Sequence, residues 1–157
     1  MIKTVRRATP IDAQAIATLL YDSFVEFKPL YTEEGFNATT PGPKEILQRL
    51  AEGPIWLARF DELVVGTISV VPKNNELYLR GMAVRPSARG QLVGGRLLLE
   101  SERFARESGC KRLFLSTTPF LAQAIDLYDD FGFHRVTDGP HDLFGTPLFT
   151  MEKWLES

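Results

Sequence analysis

The sequence holds a single cysteine, two histidines and two tryptophans in 157 residues, and its charges nearly cancel. One cysteine excludes an intramolecular disulfide and fits a reducing compartment. Cys110, beside Gly109 and between a helix and a strand, reads as a buried or half-buried thiol rather than a nucleophile. His134 and His141 are too few, and spaced wrongly, to suggest a metal site. The net charge of −2 gives no overall positive field to draw nucleic acid or an anionic membrane. Any anion site must therefore come from local arrangement. No run approaches transmembrane length, and the start, MIKTVRRATP, lacks the apolar stretch of a signal peptide. The expected location is the cytoplasm, with no membrane or nucleic-acid partner. Neither GxxxxGKS nor GxxxxGKT occurs, and no strand-borne GxGxxG is followed by an acidic ribose partner. No repeat, low-complexity tract or linker divides the chain, so one domain over residues 1–157 is expected.

Hydrophobic residues make up 44% and charged residues 24%, the profile of a soluble globular protein with an ordinary core. The pattern predicts a strand over Ile2–Arg7, then a helix capped by Thr9 and opened by Pro10, running to about Phe24. Val25 to Gly42 reads as a loop or broken helix rich in aromatics (Phe27, Tyr31, Phe36). Pro43–Leu50 is a short helix closed by Gly53-Pro54. Strands follow at Ile55–Phe60 and Leu63–Val71, joined at Asp61-Glu62, and a third covers Glu76–Val84. A long amphipathic helix is predicted from about Gly90 to Ser108, with Val93, Leu97, Ser101, Phe104 and Ala105 on its buried side. Then come a strand at Arg112–Ser116, a helix from Pro119 to about Phe131, and strands at Phe133–Val136 and Leu148–Trp154. Early hairpins followed by strand–helix–strand–helix imply a mixed α/β sheet with a right-handed last crossover.

The most informative stretch is Glu76 to Gly95, ELYLRGMAVRPSARGQLVGG. An apolar strand breaks at Arg85-Pro86 and enters an Arg-Gly-rich turn that opens the long helix. The turn aims free backbone N–H groups and the positive end of a helix dipole past the strand, which suits a phosphate or pyrophosphate.

Val84-Arg85-Pro86, then Arg89-Gly90-Gln91-Leu92-Val93-Gly94, then Ala124-Ile125-Asp126-Leu127-Tyr128 with Phe131-Gly132-Phe133, resemble the acetyl-CoA signature of the GNAT family of N-acetyltransferases. The order of elements is similar over nearly the whole chain. The resemblance implies a single-domain α/β GNAT fold: a mixed, mostly antiparallel sheet with a splayed parallel strand pair and flanking helices. It implies acetyl-CoA as acyl donor, its pantetheine arm lying between Glu76–Val84 and Arg112–Ser116 and pairing with backbone at Met82, Ala83 and Val84. The pyrophosphate would rest on the amides of Arg89, Gly90, Gln91, Leu92, Val93, Gly94 and Gly95. Gly81, inside a strand, fits a bulge that splays the pair, or a packing glycine. Arg85 and Arg89 read either as phosphate contacts or as ordinary exposed arginines.

The implied chemistry is acetyl transfer to a primary amine of a small molecule or peptide in a ternary complex. Tyr128 matches the tyrosine that hydrogen-bonds the cofactor sulfur and acts as general acid in many relatives. Glu76 falls where histone-type relatives carry a glutamate base; strand alternation puts it on one face with Tyr78 and Arg80. A solvated acid at a strand start reads equally well. The oxyanion would take a backbone donor near Met82 or Ala83. Two positions depart from the family pattern: Leu92 stands where glycine is usual, and Leu121 where asparagine often contacts the cofactor, leaving that contact to Thr117 or Thr118. Leu92 is expected in helical φ/ψ with its side chain away from the phosphates. Asp126, Asp129 and Asp130 read as a solvated helix face before a site for a cationic acceptor. Trp56, Phe27, Tyr31, Phe36 and the His141–Pro147 loop are candidates for an acceptor wall, Trp56 more simply as core. Homodimers are common among relatives, so a homodimer is one expected state. A different class of function stays open beside the enzyme: a non-catalytic acyl-CoA-binding sensor or interaction module. Tyr128 and Glu76 favour the enzyme; Leu92 and Leu121 favour the module.

Overall fold

The computed structural model of the chain describes residues 4–90 and 92–156. Alternating apolar residues form a seven-stranded sheet built from β1 (Thr4–Arg7), β2 (Ile55–Phe60), β3 (Leu63–Lys73), β4 (Glu76–Val84), β5 (Arg112–Thr117), β6 (His134–Val136) and a last long strand, Phe149–Trp154. Two short strands, β7 (Asp142–Leu143) and β8 (Thr146–Pro147), pair separately, which makes the last strand β9. The order across the sheet is β1-β2-β3-β4-β5-β9-β6. All neighbours are antiparallel except β4 and β5. That parallel pair requires a crossover, supplied by helix α4 (Val93–Glu107).

The period of two in β2 shows how both faces are covered. Ile55 and Leu57 pack with Ile16, Leu20 and Ile46, from helices α1 (Ala13–Phe24) and α3 (Pro43–Glu52). Trp56 and Ala58 point the other way, into a cluster with Val93, Leu97 and Leu98 of α4. Gly66 permits that second contact, because a Cβ there would lie 2.6 Å from Val93 Cγ1. Helix α5 (Ala122–Asp130) brings Tyr128 into the same cluster.

Several expectations need correction. Ile2 and Lys3 of the first strand lie outside the described residues. A single 3₁₀ turn (Pro10–Asp12) precedes α1, and the Thr9 N–H donates to Asp12 Oδ2 at 2.8 Å. The segment read as a loop contains a 3₁₀ helix (Val25–Leu30) and a seven-residue helix, α2 (Glu33–Thr39). Its cap is local, with Gly35 N–H donating to Thr32 Oγ1 at 3.0 Å, but its anchor is remote: Thr32 N–H donates to Thr146 Oγ1 at 2.9 Å. Helix α5 starts at Ala122, not Pro119, because Leu121 N–H closes a turn onto the Thr118 carbonyl at 3.2 Å. Helix α4 starts at Val93, not Gly90, because Leu92 adopts the left-handed conformation, φ 65° and ψ 13°.

Candidate active site

Strand β4 pairs with β5 only over Glu76–Leu79 against Arg112–Leu115, and beyond Leu79 the two strands part. The divergence coincides with a bulge against β3. Ser69 faces Arg80 and Thr67 faces Ala83, so Gly81 and Met82 together oppose Ile68. Gly81 sits at φ +61°, the left-handed region that a bulge residue adopts at little expense only as glycine.

Past the bulge, Arg85 N–H donates to the Val65 carbonyl of β3 at 2.7 Å. Successive strand residues aim their amides at opposite edges, so Met82 and Val84 direct theirs into the gap beside β5. The Val84 carbonyl is already taken by Arg89 Nε, at 3.3 Å. Met82 therefore offers a donor and an acceptor to an extended ligand, and Val84 a donor. Ala83 alternates away and is buried under α1.

The turn after β4 is braced from behind. Arg85 Nη1 pairs with Asp22 at 3.0 Å, and Arg89 Nη1 with Glu26 at 2.6 Å. Arg89 Nη2 also donates to the Ser23 carbonyl at 3.0 Å, and its own amide to the Pro86 carbonyl at 3.4 Å. Both guanidiniums are thus engaged on protein carboxylates rather than standing free in solvent. Gly90 (φ +79°) and Leu92 turn the chain into α4, and the Leu92 side chain is 81% exposed, away from the protein. Gln91 lies outside the described residues. The first α4 hydrogen bond is Arg96 N–H to the Leu92 carbonyl, so the amides of Val93, Gly94 and Gly95 have no acceptor within the helix. Gly94 and Gly95 differ in purpose. A Cβ on Gly94 would lie 2.4 Å from Leu127 Cδ2, so this glycine lets α4 meet α5, whereas a Cβ on Gly95 would meet nothing within 4 Å.

Where the strands part, a cleft of about 330 Å³ opens, lined among others by Tyr31, Tyr78, Arg80, Met82, Thr117 and Tyr128. Tyr128, only 6% exposed, packs against Phe133 with ring centres 6.0 Å apart. Burial pushes its phenol well above the ordinary value, and the neighbouring Tyr31 adds to the shift. Burial also raises the Tyr31 phenol; the Thr39 and Thr118 hydroxyls beside it offset part of that. Thr118 Oγ1 is buried and hydrogen-bonded to none of the described residues. Thr117 closes β5 opposite Phe149 and is buried at the cleft wall.

Glu76 is not brought to this cleft. It pairs in register with Arg112 at the closed end of the V, and Arg112 Nη1 donates to its carboxylate at 3.2 Å. Tyr78 and Phe114, with ring centres 5.2 Å apart, are the next pair on that face of the strands towards the cleft. Tyr78 and Arg80, which share the face of Glu76 on β4, do line the cleft. Among the described residues no aspartate, glutamate or histidine lines the cleft, and Asp126, Asp129 and Asp130 lie outside it. Of the candidate wall, Tyr31 and Leu143 line the cleft, while Trp56 and Phe36 are core. Arg49, a wall residue of α3, was missed; one arginine near the end of a short polar helix gives no signal in the sequence.

The profile of the "Acetyltransferase (GNAT) family" matches residues 15–133, from α1 to the end of the Tyr128 segment. The chain belongs to the GNAT acetyltransferase family. A GNAT relative in Escherichia coli (strain K12), "Uncharacterized N-acetyltransferase YjgM", is 31% identical over 137 residues, 83% of this chain and 81% of that protein. "Uncharacterized N-acetyltransferase YhfO" of Bacillus subtilis (strain 168) is 30% identical over 91% of this chain and 97% of its own. The PaiA N-acetyltransferase of Thermoplasma acidophilum, solved with coenzyme A, shares the fold at TM-score 0.84 and 19% identity, covering 99% of both chains. GNAT enzymes are acetyl-CoA-dependent acyltransferases, and acetyl-CoA is the donor that this family uses. The residues present fit such a donor: an unpaired strand edge at Met82 and Val84, and a row of free amides at the start of α4. No described helix is long and apolar enough to cross a membrane, and no three described His, Cys, Asp or Glu side chains are grouped to hold a metal.

Proposed function

We propose that this GNAT enzyme acetylates a primary amine, of a small molecule or a peptide, by direct attack of the amine within a ternary complex. The observation that carries this reading is the open V beyond Leu79, with the Tyr128 hydroxyl buried in the cleft at its mouth. Bound acetyl-CoA supplies an acyl group on an activated thioester carbonyl. Met82 and Val84 hold the arm of that molecule as an added strand would be held. The amides of Val93, Gly94 and Gly95 receive its phosphates at the positive end of α4. The Met82 N–H, aimed into the gap, stabilises developing negative charge on the carbonyl oxygen.

Tyr128 holds its proton at every working pH, because burial disfavours the phenolate. The phenol therefore donates to the departing sulfur as a hydrogen bond; full transfer to a thiolate is uphill by about 2 kcal/mol even from unshifted values. Among the described residues no carboxylate lines the cleft, so the amine loses its proton to water in the cleft or arrives neutral. For an amine of pKa ~10.4 that step costs roughly 4–5 kcal/mol at neutral pH, and for one of pKa ~8 only about 1 kcal/mol. The cleft thus suits acceptors of lower amine pKa. Glu76 is left with a role in closing the base of the V.

Tyr128→Phe tests the reading. We expect kcat to fall by about 10²-fold or more while the acetyl-CoA Kd changes little. Unchanged turnover would remove Tyr128 from the acid role. The missing carboxylate also favours a second reading, a non-catalytic acyl-CoA-binding module. Tight acetyl-CoA binding without CoA release from any member of an amine panel would establish it.

A further inference from the structure

We propose that the acceptor carries a carboxylate, and that Arg49 and Arg80 form the subsite that receives it. The proposal deepens the acetyltransferase reading and rests on it. The two arginines reach the same wall from different elements, Arg80 from β4 and Arg49 from the last turn of α3. Gly81 makes their meeting feasible: a Cβ there would lie 2.9 Å from Arg49 Nη1, so the bulge glycine lets that guanidinium lie over the strand.

The local charge does not close. Arg80 Nη2 is paired with Glu52, which is half-exposed, and Arg80 Nε is buried with no hydrogen-bond partner among the described residues. Arg49 donates no hydrogen bond and forms no ion pair with any described residue, although it is half-buried. Desolvation and the like charge of Arg80 both press it towards neutrality, offset only in part by Tyr78, Glu52 and the exposed Glu45. Two guanidiniums against one close carboxylate leave about one positive charge unmatched. A monoanion completes that set, and a carboxylate matches the planar fork of an arginine in a bidentate pair. A phosphate dianion would overbalance it.

The subsite also lies at the acceptor end. Arg80 precedes the bulge, four positions before Val84 along β4, or roughly 13 Å from it at strand rise. The free amides of α4, where the donor's phosphates belong, lie further on in the same direction. Tyr31 and Tyr128 line the same cleft, so an amine beside the thioester can have its carboxylate on the arginines.

The test uses matched acceptors with the intact protein: common α-amino acids, their α-carboxamides and their decarboxylated amines, each followed by CoA thiol release. The amides have lower amine pKa values and the decarboxylated amines higher ones, so together they bracket the effect of amine basicity. We expect the best acid to exceed both partners in kcat/KM by about 10-fold or more. Arg49→Ala should collapse that ratio towards one through KM, and Arg49→Lys should restore part of it. Acetyl-CoA affinity should stay within about twofold. A ratio of one in the wild type overturns the proposal. So does a loss of acetyl-CoA affinity in Arg49→Ala, which would assign the arginines to the donor. Calorimetry of the amino acids against the CoA-bound protein separates the two readings. Binding that needs Arg49 without turnover of any amine keeps the subsite and refutes the transferase reading. Absence of both binding and turnover refutes the subsite as well.

Discussion

Leu92 stands in the turn that resembles the family's signature, at a position where glycine is the expected residue, and its backbone explains what the leucine does there. At φ 65° it occupies the left-handed region, where a side chain costs about 1 kcal/mol that glycine does not. Its side chain covers almost nothing, being 81% exposed. Leu92→Gly relieves that cost but loosens the unfolded chain by a comparable amount, so it should raise the thermal midpoint by about 1–2 degrees at most and leave acetyl-CoA binding intact. A lower midpoint would mean that Leu92 makes a contact this geometry lacks. Gly95 tests the opposite quantity. It lies in the first turn of α4 with open space where a Cβ would go. Gly95→Ala should stabilise the free protein by about 0.5 kcal/mol through helix propensity. The same methyl crowds the amides, so acetyl-CoA should bind about 10-fold more weakly, equivalent to roughly 1.4 kcal/mol. Equal affinity by titration calorimetry would move the phosphates off that turn.

Among the elements, β4 does most to make the site, and its two halves obey different rules. From Glu76 to Leu79 it is an ordinary strand paired on both sides; from Gly81 on, it keeps β3 and loses β5. The change of rule rests on one backbone conformation. Gly81→Ala forces a side chain into φ +61° and against Arg49 Nη1, and should destabilise the protein by about 1–2 kcal/mol. Because the bulge sets the splay, the acetyl-CoA KM should rise along with the unfolding signal. A normal KM in a destabilised variant would show that β5 sets the gap. The strand itself was legible, since Glu76–Val84 alternates clearly and a mid-strand glycine signals a bulge. The long helix was legible from its periodicity, though its start was not, because the left-handed Leu92 is invisible to a periodicity argument. Helix α2 was hidden for a different reason. Its propensity is poor, and Thr146, more than a hundred residues away, helps fix its cap. Arg49 and Arg80 share a wall only because α3 lies across the bulge, and no spacing in the chain encodes that. Glu76 shares a face with Tyr78 and Arg80, but alternation does not report distance along the strand, and Glu76 lies at the closed end of the V opposite Arg112.

Across the whole molecule, the V is held at its closed end by charge and opened at the other by glycine. Arg112, with a side chain only 10% exposed, joins Glu76 of β4 at 3.2 Å, Glu152 of β9 at 2.7 Å and Asp138 at 3.4 Å. Its guanidinium also lies over the Phe114 ring at 4.7 Å. Three strands thus converge on one cation, opposite the open end of the V. Burial pushes the Glu152 carboxyl up. The hydrogen bonds from Arg112 and Trp154, with the charges of Arg112 and His134, outweigh burial and carry it below the ordinary range. A carboxyl depressed on folding contributes stability that is fully present above its unfolded pKa, near ~4.3, and is lost as the pH falls through the folded value. The fold should therefore keep a flat thermal midpoint above about pH 5 and lose stability below that value as Glu152 protonates. Glu152→Gln removes the charge while keeping the shape, and should cost about 1–2 kcal/mol at pH 7. The gap between wild type and variant should narrow as the pH falls towards about 3, because the wild type then loses the same interaction. Asp12, depressed by its hydrogen bond from Arg6 on β1, titrates in the same window in both proteins and leaves the difference untouched. Thermal unfolding of the two proteins at matched pH values measures this. A gap that stays constant from neutral to acid pH would mean that Glu152 acts through packing, and that the closed end of the V is not held by its charge.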